Sequence, residues 1–262
     1  MAARGNKKKR RPQDFETPVL TDVFTDAENI LSSSSPKGRL YLVSTPIGDY
    51  SDITIRALNA LSSSDYLICE DTKITSRLLR FFDIKKELRV LDEHNENETA
   101  GEYIKDLLGG KTVSLVSDCG TPVFADPGLK LVRLCIDYKI PFEFVHGANS
   151  VISAVVLSGF DISRFYFYGF LSPKKEVRSL ELSSLSALNH PVILMDTPYR
   201  MMTLINDIKD KMPEREIFIA LNLSTENELH FRGTPSEVGK NLFEHFGDSK
   251  PKAEFVLVIK NA

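Results

Sequence analysis

From Arg39 onward, apolar runs of strand length alternate with amphipathic stretches of helical period, and this alternation restricts the possible folds more than any other feature. "LYLVST" reads as a short buried strand. "DITIRALNALSSSD" follows as a helix with Ile53, Ala57, Leu58 and Leu61 on one face, and "YLICED" is again a strand. The order continues as helix "TSRLLRFF", strand "ELRVLDEH", helix "NETAGEYIKDLL" with a cap near Asn97, strand "KTVSLVSD", helix "LKLVRLCIDY" and strand "FEFVHG". Strands alternating with helices imply a mostly parallel sheet covered on both faces.

After "SVISAVVLSGF", a helix rich in small residues, the pattern changes. "RFYFYGFL" is aromatic and alternating, "PVILMDTP" and "EIFIALNL" are strands flanking a helix, Thr234 and Pro235 open the helix "TPSEVGKNLFEHF", and "AEFVLVIK" is a last strand. The expected fold class is therefore α/β in two domains, over 39–157 and 158–262. A cleft between two such domains is a favoured place for a ligand.

Residues 1–38 read as a disordered tail, with five consecutive basic residues (Lys7 to Arg11) and a serine run. Six of the 33 basic residues lie in 1–12 with no acid, which leaves 27 against 36 acidic residues for the rest of the chain. The tail is basic and the body acidic. It serves either as a solubilising extension or as a salt-sensitive tether to RNA phosphates.

No apolar run approaches the roughly 18 residues that span a bilayer, and the N-terminus lacks the apolar core of a secretory signal, so a cytoplasmic protein without membrane contact is expected. Cys69, Cys119 and Cys135 are odd in number and unpaired in spacing, which suggests reduced, buried thiols. The five histidines show no ligand spacing, and no metal is expected.

In open α/β sheets, ligands bind at the loops beyond the carboxyl ends of the strands. Here those loops are TPIGD, EDTKIT, SDCGTPVFADPG and HGANS, all polar and rich in turn residues. Gly120 and Pro122, followed by Pro127 and Gly128, would hold a rigid loop that offers main-chain groups to a ligand. On composition alone, the same loop could be a tight connection and nothing more. Neither GxxxxGK[ST] nor GxGxxG is present after a strand, which argues against a P-loop or a dinucleotide fold and leaves another nucleoside-like cofactor open.

"LYLVSTPIGDYSDITIRAL", "CEDTKITSRLL", "HNE", "LVSDCGTPVFADPGLKLVR" and "FYGFLSPKK" together resemble the tetrapyrrole methylase superfamily, in order from about Leu40 to Ile259. They most resemble the branch that 2′-O-methylates a cytidine ribose of small-subunit ribosomal RNA with S-adenosylmethionine. The resemblance implies two α/β domains of that type, a homodimer, and S-adenosylmethionine in the cleft between the domains. It assigns cofactor contacts to Pro46, Asp118, Gly120, Thr121 and Pro122, and to Gly147, Asn149 and Ser150. Further contacts fall on Phe170 and Leu171, on Leu221, Asn222 and Leu223, and on Ala253 and Glu254.

The chain departs from the family pattern in four places. Gly147, Ala148, Asn149 and Ser150 stand for GPSA, where loss of the proline is expected to loosen the loop. Asp196 to Arg200 reads DTPYR for ESPHR, and Leu221 to Thr225 reads LNLST for RELTK, which removes three charged residues. The small helical domain often appended at the C-terminus is not expected. Methyl transfer is thus better supported than any one RNA nucleotide. A tetrapyrrole or other small-molecule acceptor, and a binding protein without turnover, stay open as alternatives.

If the acceptor is a hydroxyl, a general base helps, and Glu70, Asp71, His94 and Glu96 are candidates at the right edge, with Glu70 and His94 the catalytic choices. A capping and ion-pairing role for Glu70 and Asp71 is the competing reading, and His94 could equally be structural. Arg56, Lys73, Arg77 and Arg200 are candidate phosphate contacts, although charges on helix faces are often only solvated.

Overall fold

A computed structural model describes residues 38–92, 96–247 and 253–261. The basic tail and His94 lie outside these residues. The chain divides into two compact units, one of Tyr50–Ala148 with the strand before it, the other of Asn149–Ala262 together with Ile47–Asp49.

The first unit is built on five strands: β1 (Arg39–Val43), β2 (Tyr66–Cys69), β3 (Glu87–Val90), β4 (Thr112–Val116) and β5 (Phe142–Val145). All pair in parallel, in the order β3-β2-β4-β1-β5. Alternate residues serve opposite faces, as a period of two requires: Leu40 and Leu42 join one apolar cluster, Tyr41 and Val43 the other. Four helices connect the strands: α1 (Ile55–Ser63), α2 (Thr72–Phe81), α3 (Glu96–Leu108) and α4 (Leu129–Asp137).

Local chemistry sets the helix starts. Thr54 caps α1 by accepting from Ala57 N, and Asp71 caps α2 by accepting from Lys73 N at 2.7 Å. On α1, Ala57 and Leu61 are buried as the period demands, while Arg56 faces solvent.

The second unit holds β6 (Tyr166–Phe170), β7 (Val192–Asp196), β8 (Ile217–Leu221), β9 (Leu229–Gly233) and β10 (Phe255–Ile259), in the order β6-β7-β10-β8-β9. Only β6 and β7 pair in parallel; β10 runs antiparallel to both β7 and β8. Its helices are α5 (Ser150–Ser158), α6 (Lys175–Ser186), α7 (Met201–Lys211) and α8 (Pro235–Phe246). The Thr234 and Glu237 side chains form a capping box around Pro235, as the sequence suggested for α8.

Helix α5, which the sequence reading places in the N-terminal domain, belongs to the second unit. Val151, Ala154 and Val155 pack with Ile193, Phe218 and Val258 of the second sheet, and Ile47 joins the same cluster. Among the cysteines, Cys69 and Cys135 are buried free thiols, whereas Cys119 is exposed, because it sits in the loop after β4 and not in the strand. No helix among the described residues is long and apolar enough to cross a membrane.

Candidate active site

Because β1, β2, β4 and β5 are parallel, their carboxyl ends lie along one edge of the first sheet, and the four loops singled out above leave from it. Thr45 and Gly120 exchange main-chain hydrogen bonds of 2.8 and 3.2 Å. The Thr45 hydroxyl donates to Ser117 O at 3.0 Å, and Ser44 Oγ donates to Thr121 Oγ1 at 3.4 Å. These bonds tie the loop after β1, which carries Pro46, to the loop after β4. A Cβ on Gly147 would lie 2.8 Å from Ser44 Cβ, so only glycine lets the loop after β5 pass so near the same place.

The loop of Ser117–Gly128 is strongly bent. Gly120 and Gly128 have φ of 88° and 124°, and Val123 and Ala125 also take positive φ, 68° and 64°. Such a conformation costs a non-glycine residue about 1–3 kcal/mol and persists only where surrounding contacts hold it. Here the contacts are visible. Ser117 Oγ donates to Asp126 Oδ2 at 2.5 Å, and Glu96 Oε1 accepts from Gly128 N and Lys130 N at 3.0 and 2.9 Å. Gly128, at the N-cap of α4, has no side chain to cap the helix, so the α3 carboxylate does it. Glu96, a candidate base from sequence, is thereby placed as a capping residue. Pro122 is buried within the bend.

Asp118 Oδ1 accepts from Asp71 N at 3.0 Å, linking the bend to the start of α2. Burial, and to a lesser extent the nearby Asp71 charge, push the Asp118 carboxyl upward against that hydrogen bond; burial likewise raises Asp126. No cation pairs with either carboxylate among the described residues. The edge therefore suits a ligand that brings positive charge and is otherwise recognised by main-chain groups. Asp71 acts as the α2 cap, and Glu70 beside it is exposed at the end of β2.

In the second unit, register brings the other candidates to one edge. Phe255 lies opposite both Asp196 and Leu221, and Phe170 lies opposite Met195. Ala253 and Glu254 directly precede Phe255. Asn222 N donates to Glu254 O at 2.8 Å, and Asn222 and Ser224 have φ of 49° and 61°. A Cβ on Gly48 would approach Leu223 O to 2.5 Å. Despite the lost charges, the LNLST segment is tightly ordered: Ser224 N donates to Glu228 Oε2, and Thr225 Oγ1 donates to Asn222 O. The loosening expected at GANS is also offset, since Asn149 Oδ1 accepts from Ile152 N at 3.0 Å and so caps α5 next to Ser150.

The four candidate phosphate contacts separate. Arg56 pairs with Glu143 at 2.8 Å, and Glu143 also holds Arg39. Arg200 is turned inward: its guanidinium donates to Leu171 O and Ser172 O and lies 3.3 Å from the buried Asp196. It supports the loop after β6 and is not directed at a phosphate. Lys73 and Arg77 are exposed on α2.

Sequence reasoning missed Ser44, Thr45, Ser117, Asp126, Gly48, and Arg178, whose guanidinium donates to Asp207 at 2.6 Å and to the carbonyls of Ser172 and Pro173. "DPG" and the Ser-Thr pair before Pro46 were the available signals for three of these, Asp126, Ser44 and Thr45. The contacts themselves are long-range. The described residues contain no group of three or more metal-ligating side chains.

Residues 39–239 match the Tetrapyrrole (Corrin/Porphyrin) Methylases family. The chain is 39% identical over 222 residues to "Ribosomal RNA small subunit methyltransferase I" of Thermotoga maritima, which covers 85% of this chain and 98% of that protein. The Bacillus subtilis protein of the same name is 33% identical over 234 residues, 88% of this chain and 78% of its own length. Among solved structures, the chain is similar to diphthine synthase (TM-score 0.67, 16% identity, 85% of this chain and 89% of that one). It is also similar to uroporphyrin-III-C-methyltransferase from Thermus thermophilus (TM-score 0.60, 18% identity, 86% and 94%). At such identities these likenesses speak to the fold alone. The family match takes in the first sheet and four of the five strands of the second, and with relatives 33–39% identical over most of this chain it shows that the chain belongs to the tetrapyrrole (corrin/porphyrin) methylases.

Proposed function

We propose that this protein is an S-adenosylmethionine-dependent methyltransferase that modifies small-subunit ribosomal RNA, with a cytidine ribose 2′-hydroxyl as acceptor. The observation that carries the reading is the identity of 33–39% to proteins named as small-subunit ribosomal RNA methyltransferases, over most of the chain. The first sheet edge is consistent with it, because two carboxylates without a cation partner among the described residues, and a main-chain loop, suit a cofactor with cationic groups.

S-adenosylmethionine, when bound, supplies the methyl group as an electrophile. In the first unit, Pro46, Asp118, Gly120, Thr121, Pro122 and Gly147 are the residues proposed to hold it. In the second unit, the same reading assigns Asn149, Ser150, Phe170, Leu221, Asn222, Leu223, Ala253 and Glu254. The rigid bend at Gly120 fixes main-chain groups before any ligand arrives, and orientation of reactants can supply about 7–11 kcal/mol of acceleration. A base would add a further ~10²–10⁴-fold, with Glu70 or His94 taking the hydroxyl proton. Lys73 and Arg77 remain as phosphate contacts. The reading also entails a cytosolic homodimer, which sedimentation of the purified protein would check.

The test is transfer of labelled methyl to small ribosomal subunits from a strain lacking the gene, followed by nucleoside analysis. Label in 2′-O-methylcytidine supports the proposal. Cofactor binding with no label in any RNA nucleoside rejects it and points to another acceptor.

A further inference from the structure

Helix α2 carries three cations and no acid. Lys73, Arg77 and Arg80 recur at spacings of four and three, so the 3.6-residue turn stacks them on one face, while Thr75, Leu78 and Leu79 are buried on the other. All three are exposed, and none pairs with a carboxylate among the described residues. This differs from Arg39, Arg56, Arg89, Arg178 and Arg200, each of which is held by an acid. Like charges at helical spacing repel, so the stripe is a local cost in a body that is otherwise acidic. A polyanion laid along it would remove that cost.

Two further observations indicate the kind of polyanion. At the C-terminal end of the stripe, Tyr50, Phe81 and Phe82 form a half-buried ring cluster, with Tyr50 to Phe81 at 4.8 Å and Phe81 to Phe82 at 5.0 Å. Rings beside a basic track are the pattern that binds unpaired bases. At the other end, α2 begins at Asp71, whose N–H is held by Asp118 in the candidate active site. A rise of 1.5 Å per residue separates Lys73 from Arg80 by about 10 Å along the axis, enough for more than one phosphate.

We propose that the exposed face of α2, with the Tyr50–Phe81–Phe82 cluster, is a contact surface for single-stranded RNA flanking the acceptor nucleotide. The proposal rests on the RNA methyltransferase reading and adds Arg80 and the three rings to it.

The test uses the full chain with a single-stranded oligoribonucleotide, measuring the dependence of log K on log salt concentration. R77Q/R80Q is expected to reduce the slope by about 1.4, at ~0.7 for each lost phosphate contact, while S-adenosylmethionine binding stays as in the wild type. The control R133Q/K139Q, exposed cations on and just after α4, is expected to leave the slope unchanged. F82L should weaken RNA binding without changing the slope. An unchanged slope in R77Q/R80Q, or an equal loss in the control, overturns the surface; unchanged affinity in F82L removes the rings from it. An acidic protein as the partner of α2 would give the first of these results. A wild-type chain that binds no RNA overturns the surface as well; RNA binding with the expected slopes but no methyl transfer to any RNA leaves the surface standing and overturns the functional reading alone.

Discussion

Thr45 and Gly120 face one another as an isolated two-residue bridge, each donating its N–H to the other's carbonyl, at 2.8 and 3.2 Å. This antiparallel bridge lies just beyond the parallel ladder of β1 and β4 and fixes where the bend after β4 begins. Gly120 accepts that place because its φ is 88°.

Gly120→Val should abolish S-adenosylmethionine binding, since a β-branched residue at this φ is strained by about 1–3 kcal/mol and relaxes by distorting the loop. Thr45→Val is the milder companion. It removes the buried hydroxyl bond to Ser117 O and should cost ~1 kcal/mol in urea unfolding, with cofactor affinity reduced but measurable. Calorimetric titration that finds wild-type affinity in Gly120→Val would remove the bend from the cofactor site.

Glu96 should behave as a cap and not as a base. Glu96→Ala loses acceptance of two N–H groups and should lower stability by about 1–3 kcal/mol, whereas Glu96→Gln keeps an oxygen in place and should lose less. Turnover in Glu96→Gln is expected within a few-fold of wild type. A fall of ~10²-fold or more would return Glu96 to the chemistry.

The raised pKa of Asp118 has a definite sign in stability. The folded protein keeps this proton to higher pH than the unfolded chain does. Its contribution is therefore fully present below the usual carboxylate range and is lost as pH rises through the raised folded value. Asp118→Asn keeps an acceptor for Asp71 N without the titration. The melting temperature of wild type relative to Asp118→Asn should therefore fall from about pH 3 to pH 7. A difference that grows with pH would show that another group dominates.

Arg178 and Asp207 form an ion pair with the arginine side chain only 6% exposed. Arg178→Met should cost about 3–5 kcal/mol, because Asp207 and the carbonyls of Ser172 and Pro173 lose their donor together. Replacing Asp207 by Leu in the same chain should recover part of that loss. Chemical denaturation of the two variants and the double variant measures the coupling.

The alternation of apolar runs determined the strands of the first sheet and four of the five in the second, because strand and helix periods are local and each burial face can be counted along the chain. The same applies to the caps at Thr234 and Asp71, and to the bend at Gly120 and Pro122, whose turn residues act within a few positions. Strand β9 was not legible. Its five residues include His230 and Arg232, and so short and polar a run is held by pairing with β8 and by Leu229 and Phe231 packing on the core. Nor could the sequence separate charges by task. Arg56, Lys73, Arg77 and Arg200 read alike as cations near loop ends. Yet Arg56 is exposed but has Glu143 from β5 beside it, Arg200 faces inward to Leu171 and Asp196, and Lys73 and Arg77 are exposed with no acid paired to them among the described residues. What an arginine does depends on which acids and carbonyls the topology brings within about 3 Å of it, and Glu143 for Arg56 and the Leu171 and Ser172 carbonyls for Arg200 lie tens of residues away along the chain.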